Sequence, residues 1–434
     1  MKQTINIFWF RRDLRLEDNH GFFEALKSDK PVLPIFIFDN TILSKLPKDD
    51  ARVTFIHESL QEMREVLENK YNSGIAIYHG TPENIYKALI ENYTIDAVYT
   101  NSDYEPYAIS RDKKIKTLLE SEGITFKTFK DQVVFERNEI VKKDGTAYKV
   151  YTPFSRVWLD EYKRNGITFY PSEERLNNTF KSFELQNLTL EDIGFKEAKV
   201  KIAPYTVTPT LIADYEATRN FPAQDNTSKL GPHLRFGTVS VRKMVNEASK
   251  QQNITFLKEL IWREFFMQIL WYFPHTAEES FKPKYERIEW RNNETEFKAW
   301  CEGKTGYPLV DAGMRQLNQT GFMHNRIRML VGSFLCKHLL IDWRLGEAYF
   351  ALKLHDYEMS SNIGNWQWVA GCGVDAAPYF RIFNPTTQID KFDKQHNYIK
   401  KWVPDYQELT YPTPIVDHKT ARERCLKVYK AAVS

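Results

Sequence analysis

The sequence predicts an α/β domain built on a Rossmann-like parallel sheet, followed by a mostly α-helical domain. Three observations carry this. Short β-rich runs alternate with helical stretches as far as Phe129, whereas strand signals nearly vanish from Pro209 onward. The length of 434 residues exceeds the size at which a single core stops growing, so two domains are expected. The divisions fall at 1–131 for the α/β domain, 132–204 for a connector and 205–434 for the helical domain.

The strands are Ile5–Phe10, Val32–Phe38, Ile75–Tyr78, Ala97–Thr100 and Ile124–Phe129, with helices such as Ala51–Tyr71, Pro82–Asn92 and Ile109–Ser121 between them. Continuous apolar strands separated by amphipathic helices imply a parallel sheet covered on both faces, with any ligand at the carboxyl ends of the strands. No GxGxxG follows the first strand; W-F-R-R-D-L-R stands there, so the ordinary dinucleotide fingerprint is missing. The connector loses the alternation, being aromatic over Tyr148–Trp158 and polar over Pro171–Lys201. Helical periodicity then dominates through Ile254–Phe273, Val310–Gln319, Met323–Leu340 and Ala348–His355.

Composition narrows the function. Aromatics make up 14% of the chain and include ten Trp, a load that asks for large flat surfaces to be explained. A net charge of +3 permits a local basic groove without demonstrating a polyanionic partner. Cys301, Cys336, Cys372 and Cys425 have no zinc-like spacing and read as reduced thiols, and the ten histidines are scattered, so no metal is expected. The short apolar run at Ile5 is followed at once by Arg11 and Arg12, which does not suit a signal peptide, and no run is long enough to span a bilayer. A cytoplasmic protein with no membrane partner is expected.

The segment His355–Trp368 reads H-D-Y-E-M-S-S-N-I-G-N-W-Q-W and gathers acidic groups, side-chain amides and two large aromatics in one turn-rich stretch. Such a mixture suits a planar, hydrogen-bonding ring, because buried polar groups need partners. An ordinary helix boundary with core tryptophans fits it too. Glu259, Trp262, Arg263 and Phe266 fall at i, i+3, i+4 and i+7 on one helix face, where either a site or a Glu259–Arg263 surface pair would account for them. Asn325 and Met329 form a second i, i+4 pair, flanked by Arg326 and Arg328. His324 beside them reads as a site acid or, more ordinarily, a structural histidine. Gly303-Lys304-Thr305 has Lys298 where a P-loop needs its first glycine, which excludes that motif. The polar loop Pro222–Gly237 contains Thr227 and Ser228 before a helix start, a setting for phosphate oxygens or for a plain capping turn.

Taken in order, the motifs W-F-R-R-D-L-R-L-E-D-N, F-P-A-Q-D-N-T-S-K-L, E-L-I-W-R-E-F-F, E-G-K-T-G-Y-P-L-V-D-A-G-M-R-Q-L, T-G-F-M-H-N-R-I-R-M, N-W-Q-W and A-A-P-Y-F-R-I-F-N-P-T-T-Q cover nearly the whole chain. They resemble the photolyase/cryptochrome flavoproteins, and specifically the class I cyclobutane pyrimidine dimer photolyases. The resemblance implies FAD held in the helical domain and active in its reduced form. Tyr215 and the run Thr227, Ser228, Lys229, Leu230 and Gly231 match its phosphate-binding positions. Arg328, Asp356, Tyr357 and Glu358 match positions around the flavin and adenine, and Asn362 matches the residue facing flavin N5. Trp366, Trp343 and Trp290 match an electron-transfer chain to the surface.

On the same grounds Trp262 and Trp368 match the residues that sandwich a flipped-out dimer, Glu259 and Asn325 those that hydrogen-bond its bases, and Met329 one that packs against it. Arg219, Arg263, Phe266, Arg326 and Gln388 match further DNA contacts. The implied function is repair of cyclobutane pyrimidine dimers in DNA, acting as a monomer, by electron transfer from excited reduced FAD to an extruded dimer. Two departures stand out. Asp356-Tyr357-Glu358 replaces the usual Asp-Gly-Asp, and the Asn-Glu pair of folate-binding members is absent around Tyr104–Ala108, which leaves a flavin-type antenna, a deazaflavin or none. A cryptochrome photoreceptor is the alternative; Asn362, the Glu259–Trp262 pair and the C-terminus at Ser434 weigh against it.

Overall fold

A computed structural model of the chain describes residues 3–182 and 184–434. The strands β1 (Thr4–Phe10), β2 (Val32–Asp39), β3 (Ala76–Gly80), β4 (Thr94–Asn101) and β5 (Thr125–Phe129) form one parallel sheet in the order β3-β2-β1-β4-β5. Ile7 lies opposite both Leu33 and Val98, so β1 is central. Because side chains alternate across a strand, Phe8 and Phe10 join the core on one face of the sheet, while Ile5, Ile7 and Trp9 join the core on the other. This double burial is why the strands read as continuous apolar runs rather than alternating ones. The order reverses between β1 and β4, the place where a sheet of this kind opens a crevice at its carboxyl edge.

Helices Ala51–Tyr71, Pro82–Asn92 and Pro106–Ser121 connect the strands. The last begins three residues before the apolar pattern does, since Pro106 at its start costs no hydrogen bond. The stretch expected to be a plain connector contains a helix, Tyr151–Asn165, with Phe154 and Trp158 buried. By packing, residues up to Ile140 group with Trp158–Tyr205 and Lys229–Lys250, and Val141–Val157 and Thr206–Ser228 group with Gln251–Ser434.

The second unit is helical, around a core that includes Trp300, Met314, Phe334, Trp343 and Trp366. Three expectations are corrected here. The helix expected over Met323–Leu340 is α-helical only over Asn325–Ser333 and continues as a π-helix over Phe334–Leu339. The helix expected at Ala348 starts at Trp343, because Asp342 accepts from the Arg344 amide at 3.0 Å and caps an earlier turn. The segment read as turn-rich is largely the helix Met359–Ala370, and its polar residues line a cavity instead of capping turns.

Candidate functional site

A cavity of about 580 Å³ opens in the second unit. Asn325 and Met329, one helical turn apart, line it from the Asn325–Ser333 helix. Asp356, Tyr357 and Glu358, just ahead of the Met359–Ala370 helix, line it together with Asn362 and Trp366 on that helix. Its charges are paired. Arg328, also in the wall, holds Asp356 at 2.8 Å, and Arg263 meets both oxygens of Glu358, Nε at 3.0 Å and Nη2 at 3.1 Å. Arg263 is thus committed to Glu358, and the i, i+4 surface pair with Glu259 gives way to this bidentate geometry. The other oxygen of Asp356, Oδ1, is buried with no protein partner. An orphaned carboxylate oxygen in a cavity wall calls for a donor from a ligand.

Asn362 has the clearest orientation in the wall. Its Nδ2 donates to the backbone carbonyl of Glu347 at 3.2 Å and to the Glu347 carboxylate at 2.9 Å. Both partners are acceptors, so the amide is fixed and Oδ1, an acceptor, is the atom left for a ligand. Burial raises the pKa of Glu347, against the hydrogen bonds from Asn362 and Tyr357. Sequence reasoning missed Glu347. The signal was a carboxylate at i+4 from Trp343 and i−3 from Phe350, both buried, on a face that otherwise faces core.

Trp366 and Trp343 are buried and Trp290 is half-buried. The Trp366 ring meets Phe350 at 4.9 Å and Trp300 at 6.1 Å between centroids. Trp343 carries the Arg344 guanidinium at 4.8 Å, and Trp290 sits edge-on to Tyr429 at 6.0 Å. Trp300, which the sequence reading did not single out, is therefore a direct ring contact of Trp366.

The residues matched to substrate contacts form their own group. Glu259 pairs with Arg219 at 2.5 Å, and Arg219 lies over the Tyr215 ring at 5.2 Å. Burial and the nearby Glu259 charge push the Tyr215 phenol up to about 12. Trp262 is half-buried, with one face stacked on Tyr151 at 3.6 Å and 6°. Tyr151, which also donates to the Lys258 carbonyl at 2.8 Å, was missed because the Tyr148–Trp158 aromatics read only as connector. Phe266 is buried beside Trp262 and against Gly364, where any Cβ would collide with its ring. Trp368 carries Arg381 at 5.7 Å, while Gln388 is buried.

Arg326 lies over Phe392 at 4.5 Å and donates to Asn220. Burial lowers its pKa, and the nearby positive charges of Arg219 and Arg381 lower it further. His324 is structural: its Nδ1 accepts from the Arg326 amide at 3.1 Å and caps the helix. In the loop, Thr227 Oγ1 is buried without a protein partner, and Lys229 has a left-handed φ of 55°. Thr227 and Ser228 group with the second unit and Lys229, Leu230 and Gly231 with the first.

A second cavity, of about 800 Å³, lies in the first unit at the carboxyl ends of β1, β2 and β4, as the sheet topology requires. Trp9 lines it, with the Arg11 and Arg111 guanidiniums 5.0 Å and 4.8 Å from its ring, and its buried Nε1 has no protein partner. Among the described residues no group of three metal-ligating side chains converges, and no helix is long and apolar enough to cross a membrane.

Comparison with known proteins places this geometry. The family model described as DNA photolyase matches residues 6–174, and the FAD binding domain of DNA photolyase matches residues 256–410. A deoxyribodipyrimidine photo-lyase of Agrobacterium fabrum is 37% identical, over 99% of this chain and 98% of the relative. The chain belongs to the DNA photolyase family. Among solved members, a bacterial class III photolyase from Agrobacterium tumefaciens is 36% identical, with a TM-score of 0.88 over 100% of this chain and 98% of its own. The archaeal photolyase from Sulfolobus tokodaii, described with two FAD molecules, is 35% identical, with a TM-score of 0.85 over 99% of this chain and 100% of its own. The photolyase likeness thus extends beyond class I, and the cavity with the orphaned Asp356 oxygen lies within the matched FAD-binding domain.

Proposed function

We propose that this photolyase-family chain is a light-driven lyase that reverses cyclobutane pyrimidine dimers in DNA, with FAD in the second-unit cavity, acting as a cytoplasmic monomer. The observation that carries the reading is that one cavity is lined both by residues matched to the cofactor, Asp356, Glu358 and Asn362, and by residues matched to the substrate, Asn325 and Met329. Electron transfer is faster the shorter the gap, and this wall would hold donor and acceptor close together. Bound there, reduced FAD supplies the light-driven electron that opens the cyclobutane ring.

The residues do the rest. Asn362 offers Oδ1 to a ring N–H, Asp356 offers Oδ1 to a second donor, and Glu358 is held by Arg263 for a third. A dimer inside a duplex is out of reach and must be extruded, at a cost of a few kcal/mol that distortion of the lesion reduces. Trp262, held by Tyr151 on one face and by Phe266 beside it, offers its remaining half-buried indole surface to an extruded ring. Glu259 exchanges its Arg219 partner for donors on the extruded bases, and Arg219, Arg326 and Arg381 neutralise phosphates.

The test is blue-light repair of a thymine-dimer oligonucleotide by the purified, reduced protein. Dimer loss is expected only in the light, falling about tenfold in Glu259→Ala for one charge-assisted hydrogen bond. Absence of repair with FAD bound and reduced would overturn the lyase and leave the cryptochrome reading.

For the first-unit cavity we propose a second, flavin-type chromophore, supported by the flat Trp9 surface, its unpartnered indole N–H and the surrounding arginines. Ala108→Trp fills this buried wall position. The variant is expected to lose excitation transfer from added flavin while keeping repair driven by direct excitation of the catalytic FAD. Unchanged excitation transfer would remove the assignment.

A further inference from the structure

Lys337 is fully buried in the π-helical stretch Phe334–Leu339, and the function proposed above makes no use of it. Lysines are almost never fully buried, and a buried ammonium is costly enough that an apolar side chain in its place is often neutral or stabilising. Here the ammonium has a specific task. Nζ donates to the backbone carbonyls of Tyr379 at 2.9 Å and Arg381 at 3.4 Å. Both belong to the irregular segment between the Met359–Ala370 and Pro385–Phe392 helices, where no helix or strand ladder ties the backbone down. Inside it, Arg381 N closes a turn on the Pro378 carbonyl at 2.9 Å, and Tyr379 stacks on Tyr429 at 5.9 Å and 15°.

The two anchored carbonyls flank Phe380, whose ring is 61% exposed. The second anchored residue, Arg381, places its guanidinium 5.7 Å from the Trp368 ring and 5.5 Å from Phe383. We propose that Lys337 is a positioning residue for recognition of the lesion: its buried ammonium pins the backbone on both sides of Phe380, holding that ring out toward DNA and Arg381 over Trp368. This rests on the DNA-repair reading. An apolar ring presented at a site of base extrusion stacks where the extruded bases have left.

The surroundings make the anchor sensitive to pH. Cys336 on its own segment, Cys372 on the loop, and Cys425 and Tyr429 on the helix His418–Val433 face Lys337, and burial holds all four above their ordinary pKa values, hence neutral. Arg381 is the charged neighbour. Burial, with the Arg381 charge adding to it, lowers the Lys337 ammonium to about 8. The sign follows. A lysine whose folded pKa lies below its unfolded one binds fewer protons when folded, so folding stability rises with pH from about 8 toward the ordinary lysine range. The anchor does the opposite, weakening over the same window as Nζ loses its charge. A merely structural lysine gives the first trend without the second.

Affinity for a thymine-dimer duplex is measured from pH 6.5 to 9.5 for the wild type and Lys337→Met, each loaded with FAD, beside hydrogen–deuterium exchange over residues 376–384 of the wild type, corrected for the intrinsic rate. Lys337→Met is expected to bind about tenfold more weakly than the wild type at pH 7, with the gap closing above pH 9. Wild-type loop protection is expected to fall through about pH 8. Equal affinities at pH 7, parallel pH curves, or unchanged loop protection overturn the proposal; if Lys337→Met does not fold, the exchange result alone decides. A wild type that repairs no dimer at any pH sinks the repair reading, a result distinct from repair that is indifferent to Lys337.

Discussion

Trp366→Phe is expected to abolish light-driven reduction of oxidised FAD, by at least about a hundredfold in rate, while repair by the chemically reduced protein stays within about twofold. Trp366 is buried in the wall of the second-unit cavity, with its ring against Phe350 and Trp300. Phenylalanine keeps an aromatic ring at the site but is far harder to oxidise than indole, so the substitution separates electron supply from packing. The packing is tight: a Cβ added at Gly346 would lie 2.2 Å from the Trp366 ring. Gly346→Ala is therefore expected to displace the indole and give a similar photoreduction defect together with lost stability. Photoreduction is followed by the absorbance of oxidised flavin in the presence of an external thiol. The same assay separates two routes outward. Loss in Trp343→Phe supports the chain drawn from the family resemblance, whereas loss in Trp300→Phe alone assigns the next step to the observed ring contact. Photoreduction unimpaired in Trp366→Phe would remove the indole from the pathway altogether.

The α/β half was legible because its signals are local. Strands buried on both faces read as unbroken apolar runs, and the topological switch at β1 and β4 put the first-unit cavity where a parallel sheet must put it. The helical half was legible as helical, but less so in its boundaries, because caps such as Asp342 act through one hydrogen bond that composition does not reveal. The stretch His355–Trp368 shows the limit best. Its polar residues are those of a turn, yet Met359–Ala370 is helical, since tertiary partners, Glu347 for Asn362 and the Thr276 and Glu279 carbonyls for Gln367, occupy side chains that would otherwise compete with the backbone. Spacing alone found Asn325 with Met329, because i and i+4 share a face. It could not find Arg263 with Glu358, Lys337 with Tyr379 and Arg381, or Tyr151 on Trp262, which are pairings set by tertiary packing across 95, 42 to 44 and 111 positions.

Glu347 is the residue on which the orientation of Asn362 depends, and its replacement is expected to have the second large effect. In Glu347→Leu the 2.9 Å carboxylate bond to Asn362 Nδ2 is lost and only the 3.2 Å bond to the backbone carbonyl remains. Leaving a buried donor poorly satisfied costs about 1–3 kcal/mol, enough to release the amide to turn. A turned amide presents NH2 instead of Oδ1 to the cavity and rejects a ring N–H, so the reduced, protonated form of bound FAD is expected to lose stability, roughly tenfold or more in the redox equilibrium. Glu347→Gln keeps the shape and a carbonyl acceptor, and is expected to restore most of that loss.

The pH dependence of stability separates this role from a simple packing role. Burial raises the folded pKa of Glu347 above the ordinary carboxyl value, so the folded chain retains the proton to higher pH than the unfolded chain does. Its ionisation thus works against the fold as pH rises, and stability is regained as pH falls through that raised value. The neutral Gln variant carries no such term. Thermal unfolding is expected to find Glu347→Gln at least as stable as the wild type at neutral pH, with the difference vanishing in acid, while Glu347→Leu shifts the flavin equilibrium at every pH. If Leu and Gln shift that equilibrium equally, the carboxylate is not what orients Asn362, and the acceptor facing the ring must be held by the helix backbone alone.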